Sequence, residues 1–350
     1  MDLYILNEKF DVIGVIDNVA SIIWATKYAD MGDFEIYANA TNDNITLLQP
    51  GHYVKRWDDD MVGIIKKVNL TTNIEDGNYI TVSGPDLKDV LRRRIIWSQT
   101  ILSGTIADCI TKLLDENILN PSNPMRKISN FKITINTLPT DMTINKQITG
   151  DNLLDAIIEL CNIVGYGFKV MLNEDKQIEF VLYEGVNYSD SQDVNPRVIF
   201  SPEFDNLVDT EYEFDSTKFA NVALVAGEGE GTERKTKSIG DGVGLDRYEL
   251  YVDARNLSTN SGEITDEEYS NQLQQKGFEE LVKCHITEEF GGEVIHNLTY
   301  EYKKDYQLGD IVTVENEYGL RSNVRIIEII ENEDQAGYKI LPTFSDWRLI

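Results

Sequence analysis

Three cysteines stand among 350 residues, Cys109, Cys161 and Cys284, an odd number with no close pair. A disulfide framework is not expected, and neither is a zinc site. Histidine is as scarce: His52, His285 and His296 form no His-x-x-x-His or Glu-paired motif, so no metal position is assigned. Basic residues are outnumbered, 32 against 60 acids, for a net charge of −28. Such a surface does not sequester DNA or RNA, because phosphate binding needs Lys and Arg. No stretch approaches the ~18 apolar residues that span a bilayer, so no membrane contact is expected. The N-terminus "MDLYILNEKF" lacks a basic leader and breaks its apolar run at Asn7, Glu8 and Lys9, so no signal peptide is expected.

What the sequence has is a small β-unit written twice. "QPGHYV" at 49–54 and "QLGDIVTV" at 307–314 each put a glycine three places before a strand valine, Gly51 before Val54 and Gly309 before Val312. Each continues into a second apolar strand, "GIIKKV" at 63–68 and "VRIIEII" at 324–330. Each ends on a Gly and a Tyr that lead into a third, "GNYITVSG" at 77–84 and "GYKILPTF" at 337–344. A strand pair precedes each unit. Aligned without gaps, 17–38 falls on 205–226: Trp24 meets Tyr212, and Phe34, Ile36 and Ala38 meet Val222, Leu224 and Ala226.

The segments between differ from one another. Residues 98–195 read as an α+β insert with two amphipathic helices. The first, at 104–118, carries the stripe Ile106, Ile110, Leu113, Leu114 and Ile118, with Thr105 and Asp108 as a capping box. The second, at 151–164, takes Asp151 as N-cap and Gly165 as C-cap. A hairpin follows, turning at 173–176. Residues 227–294 form a second insert with a Gly- and acid-rich loop, the strand "RYELYV" and a helix capped by Thr265 and Glu268. Tyr269, Leu273, Phe278, Leu281 and Val282 give that helix its apolar face, and Gly277 within it implies a close neighbour. The expected fold is mainly β with α+β inserts. It divides into a first β domain at 1–97, the insert at 98–195, a discontinuous second β domain at 196–226 and 295–350, and the second insert at 227–294.

Candidates for chemistry are few. Glu228 and Glu230 lie two apart and in an extended chain would face one way, about 7 Å apart, within the range of a glycosidase pair. The flanking Gly227, Gly229 and Gly231 make this a turn or exposed loop instead. Asp58, Asp59 and Asp60 lack the ligand spacing of a calcium loop and read as a solvated hairpin tip. Arg92, Arg93 and Arg94 form the one dense basic run, either a solvated edge or an inter-subunit contact with an acidic surface. No nucleophile elbow or Cys/His arrangement appears, so no catalytic or cofactor-binding residue is assigned and no cofactor is expected.

Taken in order, "IGVIDNVASIIWATKYADMGDFEIY", "VIFSPEFDNLVDTEYEF", "NVALVAGEGEGTER" and "YQLGDIVTVENEYGLRSNVRIIEI" resemble siphophage minor tail or tail-tip hub proteins. These are similar to the baseplate hubs of contractile tails and to the N-terminal part of tail-associated lysins. The resemblance implies two tube-like β domains of barrel or sandwich type per chain and a homotrimer. Three chains then present a pseudo-hexameric ring to the sixfold tail tube. It further implies a place at the virion tail tip after synthesis in the bacterial cytoplasm. The tail tube and distal tail protein would lie above, and a fibre, receptor-binding or tape-measure protein below, with DNA passing through the lumen without specific binding. Longer relatives continue into a hydrolase or a fibre-like region, whereas this chain stops at "FSDWRLI", so such a part is expected on a separate polypeptide. The alternatives are a tail-associated cell-wall hydrolase using acids of 227–306, and a host-glycan-binding module.

Overall fold

The structure is a computed structural model and describes residues 2–57, 59–73, 77–136, 138, 142–259, 264–295 and 298–345. It is mainly β, built from mostly antiparallel sheets, with parallel pairs in the two three-stranded ones, and has five α-helices among the described residues. Two compact units emerge. The first takes the chain as far as Glu211 and again from Phe290 to Ser345; the second is Tyr212–Glu289.

The first unit is organised on a long sheet. Along it lie, in order, the strands Leu207–Asp215, Thr287–Val294, Gly337–Phe344, Arg321–Asp334, Val19–Lys27, Asp33–Asn39, Gly77–Pro85 and Lys67–Asn73. Alternation explains its buried face. Ile22, Trp24, Phe34, Ile36, Ile80 and Val82 occupy every second position and pack with Leu3, Ile5 and Val54 of a smaller sheet. That sheet orders Val12–Ile16, Leu3–Leu6, Tyr53–Arg56 and Val62–Ile64. Each such side chain, fully buried, contributes about 1.5–3 kcal/mol. Among the described residues no sheet closes on itself, so the expected barrel form is not found.

The α+β segment shares one core with this frame: Leu6, Phe10, Val62 and Ile64 pack with Ile106, Ile110, Leu113, Leu154, Ile157, Phe168 and Phe180. Its first helix runs Ile106–Leu114 with Thr105 as N-cap and continues as a π-turn over Asp115–Leu119. Its second runs Leu153–Val164 and ends on Gly165 in the left-handed conformation. The N-cap there is Asn152 rather than Asp151. Asn152 Oδ1 accepts from Leu154 N at 3.0 Å while its Nδ2 donates to the Arg92 carbonyl at 2.7 Å. An aspartate at the cap could not make the second bond.

The second unit packs Ala223, Val225, Ile239 and Val252 of a three-stranded sheet against the helix Asp266–Val282. Thr265 and Glu268 form the full capping box, worth about 1 kcal/mol or more. The buried stripe steps by four residues through Tyr269, Leu273 and Gly277. Phe278 and Val282 therefore face outward, against expectation. Gly277 does have its close neighbour, since a Cβ there would lie 2.2 Å from Ile239 Cδ1.

Candidate functional site

The two Gly-x-x-Val segments make the same local structure. Gly51 N donates to the Ile65 carbonyl at 2.9 Å, and Ile65 N to the His52 carbonyl at 2.9 Å. Gly309 N donates to the Ile326 carbonyl at 2.8 Å, and Ile326 N to the Asp310 carbonyl at 2.9 Å. Both glycines have positive φ, +89° and +97°. Val54 then pairs opposite Gly63 and Val312 opposite Val324, and both valines are fully buried.

The correspondence extends to whole strands. Lys67 opposite Ser83 and Asn73 opposite Gly77 match Glu328 opposite Thr343 and Asp334 opposite Gly337. Ala38 opposite Ile80 matches Val294 opposite Ile340. A Cβ built on Gly291 lies 3.8 Å from Glu211 Cβ, the facing that Ile23 and Glu35 have. The long sheet thus holds two four-strand sets in the same order and direction. The expected equivalence of 33–38 with 221–226 fails: Val222–Ala226 belongs to the sheet of the second unit, and Thr287–Val294 takes the place of Asp33–Asn39. Val19–Lys27 and Asp33–Asn39 are joined by residues 28–32, whereas residues 216–286 separate Leu207–Asp215 from Thr287–Val294.

The sets meet where Arg321–Asp334 pairs antiparallel with Val19–Lys27. Three contacts lock this junction. Lys27 Nζ lies 3.5 Å from Glu328 Oε1 near the surface. Arg56 Nη1 lies 2.7 Å from Glu331 Oε2 in the interior. Tyr28 turns its ring onto Gly309 and Gly167, where any Cβ would clash. Its hydroxyl donates to the Gly165 carbonyl at 3.1 Å and accepts from Gly185 N at 3.1 Å. The Arg325 guanidinium stacks 5.2 Å from the ring centre and donates to the Gly309 carbonyl at 2.7 Å. Burial pushes the Tyr28 phenol up to about 12, with Arg325 opposing. The sequence marked Gly309 but not the tyrosine that requires it.

The long sheet ends on two strands without a further neighbour among the described residues, Lys67–Asn73 on one side and Leu207–Asp215 on the other. Leu70 on the first and Phe214 on the second are each about half exposed. The sheet face away from the core is acidic, carrying Asp33, Glu35, Glu211, Glu213, Glu293 and Glu328 against Lys27, Lys67 and Lys339.

The remaining candidates are placed as follows. Arg92 and Arg93 both bind the buried Asp89 carboxylate, Arg93 Nε at 2.8 Å, together with Lys66 Nζ at 3.1 Å. These contacts hold the Asp89 carboxyl below its ordinary range against the effect of burial. Arg94 instead lines a shallow cavity of about 200 Å³ with Arg93, Ile95, Trp97, Met125 and Arg126. Glu228 is a structural clip. It accepts from Thr259 N at 2.9 Å, Thr259 Oγ1 at 2.8 Å and Ser258 Oγ at 3.1 Å, and these bonds hold it down at about 2. These bonds favour its ionised form and commit its oxygens to the loop at 258–259. Asp59 is not a solvated tip: burial pushes its carboxyl up, but Lys303 Nζ at 2.9 Å, the Met61 N–H and Arg56 together hold it below its ordinary range. Asp60 is exposed. His52 Nδ1 lies 2.7 Å from the Leu47 carbonyl and His285 Nδ1 2.6 Å from that of Val282. Asp58, His296 and the C-terminal "DWRLI" lie outside the described residues. Among the described residues no cluster of three or more His, Cys, Asp or Glu could hold a metal, and no helix is long and apolar enough to cross a membrane.

Solved structures share this fold along nearly its whole length. The tail protein from Neisseria meningitidis MC58 aligns with a TM-score of 0.62 at 13% identity, covering 99% of this chain and 97% of that one. The 43 kDa tail protein of prophage MuSo2 from Shewanella oneidensis gives 0.62 at 14% identity, covering 100% and 99%. The prophage tail protein gp18 from Listeria monocytogenes EGD-e gives 0.56 at 12% identity, covering 99% and 95%. A comparison with curated proteins gives no match. The family model described as Siphovirus ReqiPepy6 Gp37-like protein matches residues 2–345, and the chain belongs to that family.

Proposed function

We propose that this protein is a structural component of the phage tail tip, a hub in which three chains join edge to edge as a pseudo-hexameric ring. One observation carries the proposal. Two strand sets stand side by side in one sheet, in the same order and direction, and the sheet ends on two different open edges. A contact between unlike edges is head-to-tail, and head-to-tail contacts generate rings when the rotation closes. Three chains of two sets give six similar elements, which fits a sixfold tube above. Family membership and the fold shared with prophage tail proteins support the setting.

The two strand sets are the tube-like domains of this proposal. The second set draws its second strand from Thr287–Val294, so the inserted unit begins and ends inside the strand pair. The acidic sheet face would line the lumen, where carboxylates repel passing DNA and keep it from adhering. Arg92 and Arg93 stay exposed while they hold Asp89, and Arg93 and Arg94 line the cavity with Arg126 and Trp97, so this basic run is the surface offered to a neighbouring subunit or tail partner. The distal tail protein and tube would bind above, and a fibre, receptor-binding or tape-measure protein below. No enzymatic role is proposed, and a zymogram on cell-wall material should show no clearing.

The test is Leu70→Asp. Leu70 is 53% exposed in the single chain, so the substituted protein should fold. Placed on an open edge, the charge should block ring closure and give particles without functional tails. Normal virions carrying Leu70→Asp would overturn the proposal.

A further inference from the structure

The junction inside the chain is a template for the contact between chains. There, Glu328 to Glu333 run antiparallel to Lys27 to Ile22, with Glu328 opposite Lys27, Ile329 opposite Thr26, Ile330 opposite Ala25, Glu331 opposite Trp24, and so on. Each strand has a counterpart in the other set. Position 328 corresponds to 67, because Glu328 faces Thr343 as Lys67 faces Ser83. Position 23 corresponds to 211, because the facing of Ile23 and Glu35 recurs at Glu211 and Gly291. Exchanging every junction residue for its counterpart yields a definite pairing between the two open edges.

On the ring proposed above, we propose that Lys67–Thr72 of one copy pairs antiparallel with Thr210–Asp215 of the next, with Lys67 opposite Asp215. Side-chain chemistry, which played no part in fixing the register, agrees with it. Lys67 and Asp215 stand where Glu328 and Lys27 form their ion pair at 3.5 Å, with the charges exchanged. On the core side Val68 meets Phe214 and Leu70 meets Tyr212, an aliphatic and an aromatic residue each time, pairs that stabilise cross-strand contacts. Leu70 and Phe214, 53% and 49% exposed in the single chain, gain cover together. A slip of one residue would set Lys67 against Phe214 and put every side chain on the wrong face. A slip of two that brings Lys67 to Glu213 would keep opposite charges but move Leu70 from Tyr212 to Thr210.

The test is disulfide trapping in the full-length chain carrying Cys284→Ser. Lys67→Cys with Asp215→Cys should give a ladder ending at the cross-linked trimer on oxidation. Lys67→Cys with Glu213→Cys should give at least tenfold less. Solution mass is read on the same samples. A trimer that cross-links through 67 and 213 but not through 67 and 215 overturns the register and leaves the ring standing. A chain that stays monomeric and cross-links in neither pair overturns both. The charge pair gives a second check. Lys67→Glu should lower the trimer fraction several-fold and Lys67→Glu with Asp215→Lys should restore it; no rescue counts against the Lys67–Asp215 contact.

Discussion

Arg56 and Glu331 form an ion pair at 2.7 Å with each side chain 2% exposed; Arg56 ends the strand Tyr53–Arg56 of the smaller sheet and Glu331 lies on Arg321–Asp334 of the long sheet, so the pair joins the two sheets. Glu331 Oε1 also accepts from the Tyr338 hydroxyl at 2.5 Å, so the carboxylate is held by the tyrosine as well as by the arginine. Two buried charges stabilise a fold only when both are present; removing one leaves the other stranded.

Arg56→Met alone should therefore destabilise the protein by about 3–5 kcal/mol. Arg56→Met with Glu331→Leu should recover most of that loss, to within about 1–2 kcal/mol of the parent, because the strands then pack apolar groups of similar size. Denaturant unfolding of the three proteins gives the values. A double variant as unstable as the single one would show that the pair does more than neutralise itself.

Gly309 and Gly51 occupy equivalent turns but should respond differently to alanine. Both carry positive φ, which costs a side chain about 1–3 kcal/mol. At Gly51 nothing lies within 4 Å, so Gly51→Ala should cost that strain alone. At Gly309 the new Cβ would sit 2.2 Å from Tyr28 Cε2, so Gly309→Ala should also push the tyrosine off its seat. Thermal unfolding should place Gly309→Ala clearly below Gly51→Ala, and equal midpoints would remove Tyr28 from its assigned role.

Asp86 makes stability depend on pH in an unusual direction. Its carboxyl is buried, accepting from Gly32 N at 3.0 Å and Lys88 N at 2.9 Å, and burial raises it from 3.8 to about 6 against the pull of Lys88. Between those values the folded chain holds a proton that the unfolded chain has lost. Stability from this group is complete below pH 4 and is lost as pH rises through 6, by roughly 3 kcal/mol at ~1.4 kcal/mol per pH unit. Asp86→Asn lacks the term. The stability of the parent relative to Asp86→Asn should thus fall by about that amount from pH 4 to pH 7. A difference that stays flat would contradict the assignment.

What could be read from the sequence was local. The glycine-to-valine spacing at 51–54 and 309–312, the Thr265 and Glu268 cap and the crowding at Gly277 each depend on a few consecutive residues. Resemblance supplied the family. The second strand of the second set was missed because Thr287–Val294 reads "TEEFGGEV", three glutamates and two glycines, with little strand signal of its own. Its neighbours in the sheet make it a strand, while the more strand-like Val222–Ala226 drew the alignment away. Arg56 with Glu331 and Tyr28 with Gly309 carry no local signature, because each joins residues distant in sequence through packing alone.

The ring is tested most directly by the mass of the purified full-length protein in solution, with negative-stain images of the same sample. A species near three times 39.8 kDa that images as a closed ring is the predicted result. A protein that remains at 39.8 kDa at high concentration, even with the distal tail protein added, would contradict it.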